Sequence, residues 1–210
     1  MNVDYIDHMG SDDRVVDAAR VSFSKAAAHY TPEQNHKLIG YLARHGHFTP
    51  FTHPQITLRE TVPIFVARQR FKHVVGFTYN EVSRRYVDDE PEFFRPEYWR
   101  ARPEGSMKQG SGPAIGLQAS VDWDYSQAVS AAINAYNALL ERGVAPEQAR
   151  MVLPQSMYTS YYVTGSLAAW ARAYKQRSDA HAQQEIQDLA RQWNTIIEPL
   201  FPVSWAALTA

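Results

Sequence analysis

Three stretches of the chain have the pattern of apolar and polar positions that is typical of β-strands. Residues 2–8 and 55–62 alternate between apolar and polar side chains, and Pro63 ends the second stretch. Residues 158–164 are rich in aromatic and β-branched residues, which also favours a strand. The sequence therefore predicts at least three strands, widely separated along the chain.

Apolar residues at helical spacing fill most of the chain between and after these strands. The clearest start is Thr31, an N-cap followed by Pro32 at the first helical position and by Gln34 as capping-box partner. We expect this helix to end at Gly46, because glycine readily adopts the left-handed conformation. Three other predicted helices begin at Ser11, at Pro63 and at Ser120, and the last of these ends at Gly143. Three more are predicted at about residues 146–153, 166–177 and 179–197.

Helices before, between and after at least three strands predict an α+β domain with a sheet flanked by helices, and not regular βαβ winding. The chain has 210 residues, 45% of them hydrophobic, so we expect residues 1–210 to form a single domain with a substantial core. Residues 103–113 are rich in Gly, Ser and Pro and are predicted to form a mobile loop.

Composition excludes several classes of chemistry. Cysteine is absent, which removes disulfides, thiolate metal sites and thiol nucleophiles. The formal net charge is -1, so the surface as a whole has no field for a polyanion, and any anion must be bound locally. The N-terminal residues lack a signal-peptide pattern, and the sequence has no apolar run of the ~18 residues that a membrane span needs. We therefore expect a soluble, cytoplasmic protein.

Positive charge is concentrated in one window of the sequence. Eight of the 21 Lys and Arg residues lie between positions 68 and 102, together with six acidic residues. The basic residues are Arg68, Arg70, Lys72, Arg84, Arg85, Arg95, Arg100 and Arg102. Composition alone favours a solvated face of paired charges. A phosphate site is the alternative, because arginine side chains bind phosphate oxygens in pairs.

Two further functional classes have some support in the sequence. A histidine metal hydrolase would use His45, His47 and His53, but no carboxylate completes this set by spacing, so no metal is expected. A single-stranded nucleic-acid binder would use basic and aromatic residues, although the balanced net charge counts against it. Its candidate contacts are Arg84, Arg85, Phe93, Phe94, Tyr98 and Trp99. No glycine-rich dinucleotide fingerprint, Walker loop or nucleophile elbow occurs in the sequence.

Longer segments of the sequence resemble the flavin-dependent thymidylate synthases. The matching segments are HGHFTPF, then PIFVARQRFKHVVGFTYNEVSRRY, then ARMVLP and RSDAHAQQEIQ, in the same order and within about residues 18–190. The resemblance implies an enzyme that binds FAD and dUMP in pockets shared between the subunits of a homotetramer. It also implies reduction of the flavin by NADPH, transfer of a methylene from methylenetetrahydrofolate, and formation of dTMP. The implied fold is a mixed or antiparallel sheet flanked by helices, without a Rossmann unit, and neither nucleic acid nor a membrane is an expected partner.

The chain departs from the family signature at one place. The signature is Arg-His-Arg, seven residues and then Ser, whereas this chain has Lys72, His73 and Val74, followed by eight residues before Ser83. Lysine keeps the charge of the first arginine without its planar fork, and valine keeps neither property of the second. The Asn-Glu-x-Ser-x-Arg-Tyr core of the signature, which begins at Asn80, is intact.

By the resemblance, dUMP binding is predicted for residues from three parts of the sequence. They are Gln69, Arg70, Phe71, Lys72, Glu81, Val82, Ser83, Arg84, Arg85, Arg150 and Arg177. Ser83 and Arg85 are assigned to the phosphate, which Arg150 is expected to reach from another subunit. Arg177 is assigned to the uracil carbonyls, where a fixed cation stabilises charge developing on the ring, and it is the predicted catalytic residue. Without the resemblance, Arg150 and Arg177 read equally well as helix C-terminal caps, and Glu81 with Arg85 as an ion pair.

The resemblance also assigns FAD contacts. They are predicted for Ser22, His47, Thr49, Lys72, His73, Val74, Asn80, Glu81, Ser166, Leu167, Ala168 and Arg172. Family members often carry Asn, Arg and Asn where this chain has Ser166, Ala168 and Arg172. Arg172 is therefore predicted to supply the positive charge that Val74 and Ala168 lack.

Overall fold

The computed structural model describes residues 1–86, 90–105 and 110–210. Within these residues the chain forms a four-stranded sheet in the order β1-β2-β4-β3, and every neighbouring pair is antiparallel. The strands are β1 (Asn2–Met9), β2 (Gln55–Pro63), β3 (Phe77–Glu81) and β4 (Tyr158–Ser166). The three predicted strands are confirmed. The short strand β3 is an addition to the prediction, and it lies inside the charged stretch that follows Lys72.

Eight α-helices accompany the sheet in the described part of the chain. They are α1 (Asp12–Arg20), α2 (Pro32–Arg44), α3 (Ile64–Arg70), α4 (Gln118–Glu141), α5 (Pro146–Ala149), α6 (Leu167–Arg177), α7 (Gln184–Ile197) and α8 (Pro202–Thr209). The helix predicted over residues 146–153 is α5 followed by a 3-10 turn at Arg150–Val152. The helix predicted from residue 179 begins at Gln184. Part of the predicted loop, residues 106–109, lies outside the described residues.

The predicted capping signals of α2 are confirmed. Thr31 Oγ1 accepts a hydrogen bond from the backbone N–H of Gln34 at 3.3 Å, and Gln34 Oε1 accepts one from the backbone N–H of Thr31 at 3.0 Å. Gly46 follows the helix with φ of 69°, in the left-handed region predicted for it. Local sequence therefore determines both ends of this helix.

The last helix, α8, is a third C-terminal helix where the sequence predicts two. The Asp12 carboxylate accepts hydrogen bonds from the backbone N–H groups of Val203 at 3.0 Å and Ser204 at 2.9 Å. These are N–H groups of the first turn of α8, which have no partner within the helix. The cap comes from 191 positions away in the sequence, so no local pattern indicates it.

The core lies between one face of the sheet and the helices α6 and α7. Ile56 and Leu58 of β2 are fully buried, as are Trp170 of α6 and Trp193 of α7, whose ring centroids are 5.5 Å apart. The helix α3 continues directly from β2, and a loop of six residues, 71–76, connects it to β3. This loop lies against α6 and carries several of the predicted site residues. None of the described helices is both long enough and apolar enough to cross a bilayer.

Candidate functional site

A fully buried ion pair lies beneath the loop that connects α3 to β3. The side chains of Arg70, at the end of α3, and Glu60, on β2, are both 0% exposed, and Arg70 Nε donates to Glu60 Oε1 at 3.1 Å. The guanidinium carbon is 4.4 Å from the ring centroid of Phe77 and 4.8 Å from those of Trp170 and Trp193. The predicted nucleotide contact of the Arg70 side chain is therefore wrong, because the core encloses this charge.

Two tyrosines extend the hydrogen bonds of the ion pair. The Tyr161 hydroxyl donates to Glu60 Oε2 at 2.6 Å. The Tyr79 oxygen accepts from Arg70 Nη1 at 2.5 Å, and its hydroxyl donates to the backbone carbonyl of His73 at 2.7 Å. Burial raises the pKa of Tyr79 to about 12 and also raises the pKa of Tyr161, so both hydroxyls keep their protons at neutral pH.

His73 and Arg177 form the centre of the site. Arg177 Nε, at the end of α6, donates to His73 Nε2 at 2.8 Å. Desolvation and the charges of Arg177, Arg70 and Arg172 lower the pKa of His73 from 6.5 to about 4. The ring is therefore neutral at pH 7, with its proton on Nδ1 and its acceptor nitrogen toward Arg177. Burial and Arg70 also lower the pKa of Arg177, but a guanidinium stays charged in proteins. The result is a half-buried cation in a fixed orientation.

Gln69, the predicted nucleotide contact on α3, lies beside this pair. Its backbone carbonyl accepts a hydrogen bond from Arg177 Nη2 at 3.4 Å, and its side-chain Nε2 donates to Gln183 Oε1. Gln183 Nε2 in turn donates to Glu185 Oε2 at 2.8 Å. These bonds orient the Gln69 side chain from outside its own helix. The structure thus brings Gln69 and Arg177 together, although they are far apart in the sequence.

The two residues that follow α3 differ in exposure. The Phe71 ring packs at the edge of the core, with ring centroids 5.1 Å from Tyr79 and 4.8 Å from Tyr161. The Phe71 side chain is therefore part of the packing beneath the site, and we do not assign a dUMP contact to it. Lys72 is exposed next to His73, where it can contact an anion.

An exposed apolar pair continues the loop. Val74 is 66% exposed and Val75 is 67% exposed. Arg172 of α6 donates from Nη2 to the backbone carbonyl of Val75 at 2.5 Å, which brings a cation to the edge of this pair. Gly76 has φ of +78°, and a Cβ atom there would lie 2.9 Å from the Cβ of Ala169. The loop of residues 71–76, which contains the extra residue of this chain, therefore requires glycine at position 76.

These loop residues fit a flavin nucleotide. A planar ring system needs an apolar surface, which Val74 and Val75 offer, and its phosphates need cations, which Lys72 and Arg172 offer. Arg172 thus lies at the segment whose charge it was predicted to supply.

The segment that begins α6 does not fit its predicted role. Ser166 is 5% exposed, and its Oγ accepts a hydrogen bond from the backbone N–H of Ala169 as the N-cap of α6. Leu167 is 0% exposed, and its backbone N–H donates to the carbonyl of Pro54 at 3.1 Å. The predicted flavin contacts of Ser166 and Leu167 therefore have no support from their side chains, because one caps the helix and the other is in the core. Ala168 is half-buried against the core.

The remaining predicted flavin residues are exposed at other places. Ser22 lies in a 3-10 turn after α1, and Thr49 begins a 3-10 turn after α2. His47 lines a cleft that also contains Tyr41, with ring centroids 6.0 Å apart. Asn80 is exposed on β3, on the face of the sheet opposite to Tyr79.

A second cluster surrounds a cleft of about 550 Å³ at the C-terminal end of β3. The cleft is lined by Glu81, Val82 and Arg84 from one side and by Arg150 from another. Thr159 Oγ1 donates to Glu81 Oε1 at 2.6 Å, which fixes the carboxylate. Arg150, expected to reach the phosphate from another subunit, therefore lies in the same cleft as Arg84 of its own chain.

Ser83 and Arg85 lie next to this cleft and contact each other. Ser83 Oγ accepts hydrogen bonds from the backbone N–H of Arg85 at 3.3 Å and from Arg85 Nε at 3.1 Å. The serine thereby holds the base of an exposed guanidinium. A hydroxyl and an arginine fork in one place form a suitable site for a phosphate.

Three residues of the site were not found by sequence reasoning: Glu60, Tyr79 and Gln183. Glu60 had a signal, because it occupies the apolar phase of β2 with Ile56, Leu58 and Val62. An acidic residue in the buried phase of a strand requires a buried partner. Tyr79 and Gln183 had no comparable signal, since their roles depend on contacts between distant segments.

The alternative chemistries have little support in the described residues. No group of three or more His, Cys, Asp or Glu residues within residues 1–86, 90–105 and 110–210 is arranged to hold a metal ion. His45 instead lies against Tyr41, with centroids 4.3 Å apart. The aromatic residues proposed to stack on nucleic-acid bases pack within the protein, since Phe94 contacts Phe65 and Trp99 contacts Tyr125, with centroids 5.7 and 5.3 Å apart.

Comparisons with known proteins agree with the resemblance. The family described as "Thymidylate synthase complementing protein" matches residues 4–203. The "Flavin-dependent thymidylate synthase" of Thermosipho africanus is 38% identical over 213 residues, covering 96% of this chain and 88% of the relative. A protein of the same name from Thermus thermophilus is 38% identical over 202 residues, covering 96% and 73%. Among solved structures, a UMP/dUMP methylase, PolB, from Streptomyces cacaoi bound with 5-Br dUMP has a TM-score of 0.88 and 32% identity, covering 99% of this chain and 94% of that one.

Proposed function

The chain belongs to the flavin-dependent thymidylate synthase family, and from this premise we propose that it methylates dUMP to dTMP. In this proposal methylenetetrahydrofolate supplies the carbon, NADPH supplies the reducing equivalents, and FAD is the bound flavin. The absence of cysteine agrees with such a reaction, because the chain has no thiolate with which to attack the pyrimidine ring. The flavin, when bound, supplies the hydride that completes the methyl group.

The observation that carries the proposal is the orientation of Arg177. Its Nε is bonded to a histidine that stays neutral, and its Nη2 is bonded to the carbonyl of Gln69. No described residue accepts a hydrogen bond from its Nη1. A cation held in this way would stabilise negative charge on the uracil carbonyls, and so favour the electron-rich form of the ring whose C5 bonds to the methylene carbon. Because the site is partly buried, this stabilisation is larger than in open water.

The phosphate of dUMP is proposed to bind at the second cluster. Ser83 and Arg85 form one donor group, and Arg84 and Arg150 face the adjoining cleft. Glu81 lies between the two clusters, two residues after Tyr79 on the same face of β3, about 7 Å along the strand. A nucleotide has a polar anionic end and a flat neutral end, so it suits a site with these two parts.

The assembly is proposed to be a homotetramer with shared sites. In support, Tyr136 is the only buried residue of α4, a helix of 24 residues that the structure describes in full. The apolar residues Ala128 and Ala135 of this helix are exposed. A long helix with so little burial needs a partner surface. The cleft at Arg150 and the cluster at Arg177 also do not form one pocket among the described residues, since the lining of the cleft includes none of Gln69, His73 and Arg177.

The proposal is tested with the purified protein. We expect flavin absorbance in the visible range, loss of that absorbance on anaerobic addition of NADPH, and dTMP formation when dUMP and methylenetetrahydrofolate are present. UMP is assayed beside dUMP, because the solved structural relative is named as a methylase of both. Arg177→Ala should retain flavin but form no dTMP. A colourless protein that cannot be loaded with FAD would overturn the proposed function. Retained dTMP formation by Arg177→Ala would overturn the role of Arg177.

A further inference from the structure

The buried Glu60–Arg70 ion pair carries a large desolvation cost, and the stability of the core does not explain its presence. Both side chains are 0% exposed. Desolvating two ions costs several kcal/mol each, and well-packed apolar residues of similar volume usually stabilise a core as well or better. We therefore looked for residues whose position depends on this ion pair.

Among the described residues, hydrogen bonds and aromatic rings surround the pair, Arg70 Nη2 is buried without a hydrogen-bond partner, and one connection leads outward. Both Glu60 oxygens are bonded, one to Arg70 and one to the hydroxyl of Tyr161. The rings of Phe77, Trp170 and Trp193 enclose the guanidinium. The outward connection is Arg70 Nη1, which donates to Tyr79, and Tyr79 bonds to the surface loop.

Tyr79 transfers this fixed geometry to the site. Its oxygen accepts from Arg70 Nη1 at 2.5 Å, and its hydroxyl donates to the carbonyl of His73 at 2.7 Å. A hydroxyl that accepts a hydrogen bond from a cation becomes a stronger donor, so the bond to His73 is reinforced. The His73 ring then accepts from Arg177 Nε at 2.8 Å. Hydrogen bonds on both sides of His73, one to its backbone carbonyl and one to its ring, thus connect Glu60 to the proposed catalytic arginine through the covalent structure of this residue.

We propose that the buried Glu60–Arg70 pair, acting through the Tyr79 hydroxyl and His73, is a positioning device that sets the orientation of Arg177 for methyl transfer. The proposal rests on the proposed function for its activity arm, but the orientation itself is independent of any substrate. Glu60 and Arg70 are fully buried, and the Tyr79 hydroxyl is bonded within the protein, so all three act on the site through other residues. They are positioning residues.

The molecule offers a matched pair of variants to test this. Tyr79→Phe and Tyr161→Phe each remove one hydroxyl from the same buried network, and each hydroxyl is bonded to one member of the ion pair. The hydroxyl of Tyr79 is bonded to His73, whereas that of Tyr161 is bonded only to Glu60 among the described residues. A merely structural role predicts similar effects for the two variants.

The first readout is dTMP formation by the flavin-loaded enzyme. We expect Tyr79→Phe to lower kcat by about tenfold or more and Tyr161→Phe to lower it by less than about threefold, at similar thermal stability. Equal losses in the two variants would show that the network serves stability alone and would overturn the proposal. An unchanged kcat in Tyr79→Phe would do the same.

The second readout needs no activity. Histidine labelled with ¹³C at Cε1 is incorporated, the His73 signal is assigned from its absence in His73→Gln, and its titration is followed by NMR between pH 5 and 8. The charges that face the His73 ring are those of Arg177, Arg70 and Arg172. In the parent protein and in Tyr161→Phe the ring should not titrate in this range, whereas in Tyr79→Phe its midpoint should rise into it as the ring leaves Arg177.

The two readouts separate the possible failures. If the parent protein forms no dTMP, the proposed function fails, while the NMR titration still tests the positioning device. A large loss of kcat without a change in the His73 titration would overturn the proposal, because the effect would not pass through His73. Should Tyr79→Phe fail to fold, Glu60→Gln replaces it, since the amide keeps the size of Glu60 and removes the charge that holds Arg70. The same rise of the His73 midpoint is then expected, and no change would overturn the proposal.

Discussion

The neutral His73 makes a quantitative prediction about the pH dependence of folding. Its folded pKa is about 4 and its unfolded pKa is 6.5. Between these values the unfolded chain binds a proton at this residue and the folded chain does not, so stability is complete above pH 6.5 and falls as the pH falls toward 4. From the two pKa values, the loss between pH 7 and pH 5 is about 2 kcal/mol. This is an upper value, because the ring lies next to the exposed Lys72 and Val74, where water screens charge.

The perturbation that isolates this contribution is His73→Gln. Glutamine offers an oxygen acceptor to Arg177 Nε and does not titrate, so the variant should lose about 2 kcal/mol less than the parent protein between pH 7 and pH 5. The measurement is urea unfolding at both pH values and at one fixed protein concentration, since any assembly makes stability depend on concentration. All other titrating groups contribute equally to both proteins and cancel. Equal pH sensitivity of the two proteins would show that His73 does not contribute to the pH dependence of folding.

Two further predictions concern the phosphate site and the loop beside α6. Arg85→Ala should weaken dUMP binding by about 1.5 to 3 kcal/mol, the range for a charged hydrogen bond, whereas Arg191→Ala, which removes an exposed cation of α7, should not. Calorimetry decides this, and an unchanged affinity in Arg85→Ala would move the phosphate elsewhere. Gly76→Ala should lower the free energy of unfolding by about 1 to 3 kcal/mol, because φ is +78° and the new Cβ would lie 2.9 Å from the Cβ of Ala169. Gly116→Ala is the control, since nothing lies within 4 Å of a Cβ there, and equal stability of both variants would contradict the account of this loop.

Local signals in the sequence predicted elements wherever the stabilising contacts are close in sequence. The capping box of Thr31 and Gln34 joins residues three apart, and the strand β2 shows its burial in its own alternation. The helix α8 was missed because its cap is Asp12, at the other end of the chain. The strand β3 was missed because it has no buried residue of its own and is defined by its pairing with β4, a distant segment of the chain.

The candidate site divides in the same way. The resemblance assigned Arg177, His73, Gln69 and the Ser83 to Arg85 segment to the site, since these occur as recognisable short motifs, and the structure brings Gln69, His73 and Arg177 together. It also assigned Arg70 to the nucleotide, because a basic residue beside two site residues looks like a third. Its burial could not be read from the motif, since the partner that makes it tolerable, Glu60, lies on another element.

The family, the α+β class, the helix ends with local caps and the set of ionisable groups from which the site is built can all be read from the sequence. Which of those charges are buried together and which reach solvent depends on how the chain folds. The physical reason is that the cost of burying a charge depends on the partners brought to it by folding. Arg70 and Arg177 are both arginines at the end of a helix. Arg70 is paired with a carboxylate inside the core, whereas Arg177 is a half-buried cation at the site.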